Sequence, residues 1–236
     1  MESGAMESLH GPVRPFDSVV TDAAEWSRPD LRVVHRPGVY ETRVKPLIDI
    51  VLGMTLLVIT APLLISCMAM VRLFMGKPVV YRQTRVGLGG ETFQLLKLRT
   101  MIPDRRSGNR PDYDGPERRQ THKSPHDPRV SRLGAALRAV RLDELPQLWN
   151  VVRGDMSLVG PRPELPEIVE QYEGWQHARH VVKPGLTGLW QVSAPKDKLM
   201  HECTDLDLAY IEDFGFLNDL KIIARTPKAM LRRHGF

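Results

Sequence analysis

An uninterrupted apolar run constrains this chain more than any other feature. From Ile50 to Val71 it reads IVLGMTLLVITAPLLISCMAMV, without one charged residue, and no second segment of this kind occurs. At about 1.5 Å per helical residue the run matches the roughly 30 Å hydrocarbon core of a bilayer. A helix buried in a soluble domain normally shows a polar stripe, and none is visible here. The run is therefore expected to insert into a membrane. Pro62, near its middle, removes a backbone hydrogen bond and bends or breaks a helix. Arg43 and Lys45 precede the run, and Arg72 and Lys77 follow it. Such cations mark the cytoplasmic side, which a straight span satisfies at one end only. A helix that goes in, breaks at Pro62 and returns satisfies both. A proline-kinked span is the alternative, because neighbouring helices can repair freed backbone groups. Asp49, where the helix begins, stays at headgroup depth or caps the returning end.

Around this run the composition is that of an ordinary globular protein, with 42% hydrophobic and 26% charged residues. The net charge of +5 suits nucleic acid, anionic lipid or phosphorylated substrates alike. Two cysteines, Cys67 and Cys203, are too few for a disulfide framework, and the histidines show no metal-ligand spacing. Residues 1–40 are polar, punctuated by Pro12, Pro15, Pro29 and Pro37, and read as a flexible arm. Residues 41–76 are expected to form a re-entrant membrane helix hairpin, and 77–236 a cytosolic, membrane-associated domain.

That domain is expected to be α+β. Val79–Gln83 and Thr92–Met101 flank a glycine-rich turn and read as a hairpin. Residues 103–129 are nearly free of apolar side chains and read as a long variable loop. SRLGAALRAV, from Ser131, has helical spacing. LDELPQLWNVVRGD reads as a new helix, with Asp143 as N-cap, Pro146 in the first turn and Gly154 at its end. Helix is also expected over 164–180, over 205–214 and in a basic tail at 225–234, and a strand from Leu186. The tail sets Met230 and Leu231 beside Lys228, Arg232 and Arg233, the pattern of an interfacial helix. Trp149, Trp175 and Trp190 are either interfacial anchors or core.

Five blocks, YRQTRVG from Tyr81, FQLLKLRTM from Phe93, LDELPQL from Leu142, GDMSLVGPRPE from Gly154 and KPGLTGLWQV from Lys183, together resemble the bacterial sugar transferase family, the monotopic phosphoglycosyl transferases. The likeness runs from about Arg43 to Thr226. It implies a membrane re-entrant helix broken at Pro62, although Ala61 stands where the family often has serine. Gly215 likewise replaces a common serine upstream of DLKII. The four membrane helices and extra domain of larger members are not seen, so the chain is a small-type enzyme or the catalytic end of a large one.

The implied reaction moves a sugar 1-phosphate from a UDP-sugar to polyprenyl phosphate, through a phosphosugar-aspartyl ester. Breaking a phosphoanhydride calls for a nucleophile, cations and usually a divalent metal. Adjacent carboxylates at a helix start are ordinarily a cap and a first-turn acid. The resemblance makes Asp143 the nucleophile and Glu144 its base or orienter, with Mg²⁺ on phosphate oxygens and Asp143. Arg138 and Arg141 lie five and two residues before Asp143 and can grip phosphate bidentately. Two prolines rigidify the turn bearing Arg162, which preorganises its guanidinium for the nucleotide. Lys97 interrupts an apolar run, would be costly in a core without an anionic partner, and is expected to contact phosphate. Gln83, Arg85 and Asp219 are carried over from matching motifs as further phosphate or nucleotide contacts. The implied location is the cytoplasmic face of the bacterial inner membrane, and the family allows a homodimer. Without a recognition-helix, RNA-binding or zinc-finger signature, nucleic acid is not expected as a partner. A non-catalytic membrane adaptor is the rival reading. The sugar is left open.

Overall fold

The computed structural model describes residues 35–101, 130–193 and 200–232, with side chains to Met230. The expected variable loop and most of the expected arm lie outside them. A π-helical turn, Tyr40–Val44, leads into α1, Lys45–Met75, a single helix of 31 residues with Pro62 inside it. Pro62 does not divide the helix in two: a proline deletes one donor, and the ladder resumes on either side. Thr60 and Ser66 donate hydroxyl hydrogen bonds back to the carbonyls of Leu56 and Pro62, at 2.7 and 2.8 Å.

One narrow stripe of α1 is buried: Lys45, Asp49, Gly53, Cys67 and Val71, with Leu57, Leu64, Met68 and Met75 partly covered. The three-to-four spacing is that of one helix face. The rest is apolar yet exposed, through Val58, Ile59, Ile65 and Leu73. At the start of the stripe, Asp49 accepts a 3.0 Å bond from the Leu158 amide. At its end the buried Arg99 donates to the carbonyls of Met75, Gly76 and Lys77. Carbonyls that a helix terminus leaves without partners are thereby satisfied.

The expected hairpin is present. β1, Val80–Val86, pairs antiparallel with β2, Thr92–Leu98, in a register that sets Tyr81 opposite Lys97. α2, Arg132–Ala139, starts on Ser131, whose hydroxyl accepts from the Gly134 amide at 2.9 Å. Gly134 lies so close to β2's continuation that a Cβ there would come within 2.0 Å of the Thr100 carbonyl oxygen. α3, Gln147–Arg153, ends at Gly154 in the left-handed conformation. Asp143 does not cap it. A separate 3₁₀ turn, Leu142–Glu144, is launched by Arg141 at φ 57°, and Pro146 opens the helix instead.

β3, Ser157–Val159, pairs in parallel with β4, Gly185–Thr187. The continuous helix expected between them is a short α4, Pro166–Val169, and a 3₁₀ segment, Gly174–Val181. Extended Glu173 separates the two and caps the second reciprocally with Gln176. The strand expected from Leu186 ends at Thr187, and α5, Leu189–Ser193, follows. α6, Thr204–Glu212, and α7, Phe216–Arg232, complete the fold, α7 being longer than the expected basic tail.

The core has two parts. The larger gathers Leu95, Leu148, Val151, Met156, Leu158, Val159, Val182, Leu208, Tyr210, Ile211 and Ile222. The smaller joins Leu98 and Leu137 to Cys67 and Val71 of α1. Leu142 packs on the smaller part and Leu145 on the larger, so residues 143–144 are pinned between them. Both leucines are partly buried, and the apolar area they remove from water on the two sides fixes so short a turn.

Candidate active site

Both acids of the 3₁₀ turn are buried, Asp143 8% and Glu144 9% exposed. Three cations converge on Glu144. Arg162 Nη2 stands 2.7 Å from Oε1, Lys97 Nζ 3.6 Å from the same oxygen, and Arg141 Nη1 3.4 Å from Oε2. Burial alone would push this carboxyl up, but Arg162, Lys97 and Arg141 together hold it well below the ordinary range. Burial lowers Lys97 to about 8, against the opposing pull of Glu144. Glu144 raises Arg162. Asp143 is within electrostatic reach of both Lys97 and Arg162, favouring their charged forms.

Each cation is fixed by its own element. Arg141 takes its place from the left-handed backbone that opens the turn. Lys97 rides on β2, which the fully buried Asn150 of α3 locks in place. Asn150 accepts from the Leu96 amide at 3.0 Å and donates to the Gln94 carbonyl at 2.8 Å, acting like a third strand.

Arg162 sits in the Pro161–Glu164 turn, whose four consecutive carbonyls are held from four directions. Pro161 accepts from the Gly185 amide at 2.8 Å, and Arg162 from Arg179 Nη2 at 2.7 Å. Pro163 accepts from Arg85 Nη1 at 3.2 Å, and Glu164 from the Val86 amide at 2.9 Å. Beneath the turn the backbone runs so close to its neighbour that a Cβ on Gly185 would lie 2.1 Å from the Gly160 nitrogen. This contact couples the GPRP and PGLTG blocks. The backbone that carries Arg162 is thereby held fixed from several sides.

The remaining predicted residues divide. Arg85 reaches Glu164 Oε1 at 3.3 Å and Gln83 Oε1 at 2.9 Å, which places Gln83 and Arg85 behind the turn as supports; burial lowers Arg85 to about 10. Arg138 donates from Nε to the Thr100 hydroxyl at 2.8 Å. Asp219 is held elsewhere. Its carboxylate takes Lys45 Nζ at 2.5 Å and the hydroxyls of Tyr40 and Tyr210 at 2.7 and 2.8 Å, joining α1, α6 and α7. These partners occupy both carboxylate oxygens and make Asp219 a tie between α1, α6 and α7. Among the described residues no group of three or more His, Cys, Asp or Glu could hold a metal.

A model of the bacterial sugar transferases matches residues 40–233. The chain belongs to the bacterial sugar transferase family. It is 41% identical over 195 residues to a UDP-glucose:undecaprenyl-phosphate glucose-1-phosphate transferase of Caulobacter vibrioides, which covers 79% of this chain and 69% of that one. The exopolysaccharide production protein ExoY of Sinorhizobium fredii is 37% identical over 194 residues, covering 79% and 85%. An undecaprenyl-phosphate galactose phosphotransferase of Salmonella typhimurium is 37% identical over 193 residues, of which this chain spans 40%.

As a bacterial sugar transferase the chain is an enzyme, and several of its site supports escape sequence reasoning: Asn150, Glu164 and Arg179. One signal was available for Asn150, a polar residue inside the apolar run LWNVV, the same signal that singles out Lys97. Of the tryptophans, Trp149 is 47% exposed, whereas Trp175 packs on the larger core and donates to Glu173 Oε2 at 2.6 Å.

Proposed function

We propose that this transferase moves a sugar 1-phosphate from a UDP-sugar to polyprenyl phosphate by two displacements at phosphorus. The observation that carries this reading is a buried pair of carboxylates, Asp143 and Glu144, faced by Lys97, Arg141 and Arg162. Glu144 has both oxygens committed to cations and is thereby suited to orienting work. Asp143 is the nucleophile. Its carboxylate oxygen bonds to the sugar-linked phosphorus, the phosphoanhydride P–O bond breaks, and UMP leaves with that electron pair. An oxygen of polyprenyl phosphate then attacks the same phosphorus, breaks the aspartyl ester and restores the carboxylate. Lys97, Arg141 and Arg162 hold the phosphate oxygens during both transfers, in a site dry enough to strengthen each contact.

The donor set fits Mg²⁺, which takes one or two carboxylates and fills its shell with phosphate and water oxygens. Asp143 would hold it. When bound, the ion would offset diphosphate charge.

We further propose that α1 re-enters the cytoplasmic face of the bacterial inner membrane rather than crossing to the other side. Its first turn ties to Asp219 and its last to Arg99, so both ends rest on one domain while the apolar outer face is exposed. Labels at Arg43 and Arg72 are then reachable from the cytoplasmic side alone; protection of only one means a span.

The reaction is tested with detergent-purified protein, undecaprenyl phosphate, Mg²⁺ and a panel of UDP-sugars, following UMP. Without acceptor, intact-protein mass should rise by one sugar phosphate, and Asp143→Ala should abolish both signals. UMP release undiminished in Asp143→Ala overturns the nucleophile, and a rate unchanged in EDTA removes the metal.

A further inference from the structure

We infer that Arg179 and Asp207 are positioning residues, a buried ion pair whose work is to set the Arg162 carbonyl and hence the reach of the Arg162 guanidinium to Glu144. Both side chains are 1% exposed, Arg179 in the 3₁₀ segment and Asp207 in α6. Arg179 Nη2 meets Asp207 Oδ2 at 2.6 Å and donates to the Arg162 carbonyl at 2.7 Å. Its Nη1 donates to the Tyr172 hydroxyl at 2.5 Å, and Tyr172 stacks on His180 at 12°. The guanidinium is thus fixed in three directions and has one structural output, the backbone of the residue that clamps Glu144.

Energetics favour a positional role. Removing two ions from water costs several kcal/mol each, and well-packed apolar residues of the same volume generally serve stability as well. An ion pair is distinguished by its geometry. Burial pushes Asp207 up to about 6 against the pull of Arg179, the mark of a pair held where desolvation is strong. Pro161 and Pro163 pass any displacement of the carbonyl on to the side chain between them, because their fixed φ values leave few torsions to absorb it. Misplacing a catalytic contact by about 1 Å can cost roughly 10²-fold in rate.

This inference rests on the proposed transferase reaction, and a double-mutant cycle separates the two. Arg179→Lys retains the charge facing Asp207 and loses the planar fork. It should lower kcat about tenfold with the donor KM within about twofold, in protein whose circular dichroism is unchanged. Placed on Arg162→Ala, which lacks the side chain being aimed, it should cost less than about twofold more. Tyr172→Phe, which keeps shape and removes one anchor of the fork, gives the same cycle with a smaller loss should Arg179→Lys not fold. Losses that multiply in the double variants overturn the positioning role while leaving the reaction standing. A wild-type chain that releases no UMP from any UDP-sugar overturns the reaction and this inference with it.

Discussion

Two buried carboxylates, Glu144 and Asp219, resemble one another in burial and differ in company. Asp219 is met by one ammonium and two phenolic hydroxyls, with the buried Asp49 also acting on those phenols, so its cluster closes on itself with no positive charge left over. Glu144 is met by Lys97, Arg141 and Arg162, and even with Asp143 counted the cations outnumber the anions. A bonded cluster without surplus positive charge holds elements together. One with surplus positive charge is poised for a further anion, and a diphosphate is such an anion. Burial alone does not tell these roles apart; the local sum of charge does.

The sharpest way to break this comparison is at the Glu144 end. Asp143→Ala should reduce turnover by at least about 10³-fold with the fold intact. Arg162→Ala should lower kcat/KM by about 10²–10³-fold. Asp219→Asn or Lys45→Ala should do the reverse, costing about 3–5 kcal/mol of stability, seen in thermal melts, while folded protein keeps near-normal kcat. An Asp219→Asn variant that melts normally but does not turn over would erase the distinction.

A pH profile sharpens the same contrast. Lys97 carries its charge below about 8 and loses it above, burial having lowered it from the ordinary lysine range. The cation surplus shrinks accordingly, and kcat/KM should fall about tenfold per pH unit beyond that point. Lys97→Arg, charged throughout, should extend the plateau; a wild-type profile flat to pH 10 would take Lys97 out of the phosphate contacts. The smallest effect is expected from Tyr40→Phe, which removes one of three donors to Asp219. It should cost about 1 kcal/mol in stability and leave the rate alone.

Local signals in the sequence carried much of this. The hairpin follows from two β-rich runs around glycines, and the rigidity of the Arg162 turn from its two prolines. Lys97 is conspicuous because charge inside an apolar run needs a partner. What the sequence concealed is distant pairing. Nothing near Asp219 announces Lys45, 174 positions away. No motif or spacing in the sequence marks Arg179 and Asp207 as partners, although the fold buries them against each other. Asp143 fits a helix cap by residue type, yet it lies in a separate 3₁₀ turn ahead of α3. The left-handed conformation of Arg141, a non-glycine, gives no sequence cue.

The turn at 161–164 lends its neighbours a kinetic signature as well. The amides of Val86, Gly160 and Gly185 bond to carbonyls of Glu164, Thr187 and Pro161, tying the hairpin, the turn and β4 into one ring of donors. None of these hydrogens can meet solvent deuterium by fraying of a single segment, so they should exchange together and only when that ring opens as a unit. For an enzyme carrying so much exposed apolar surface that denaturant titrations invite aggregation, those three amides offer an internal clock for the integrity of the catalytic fold.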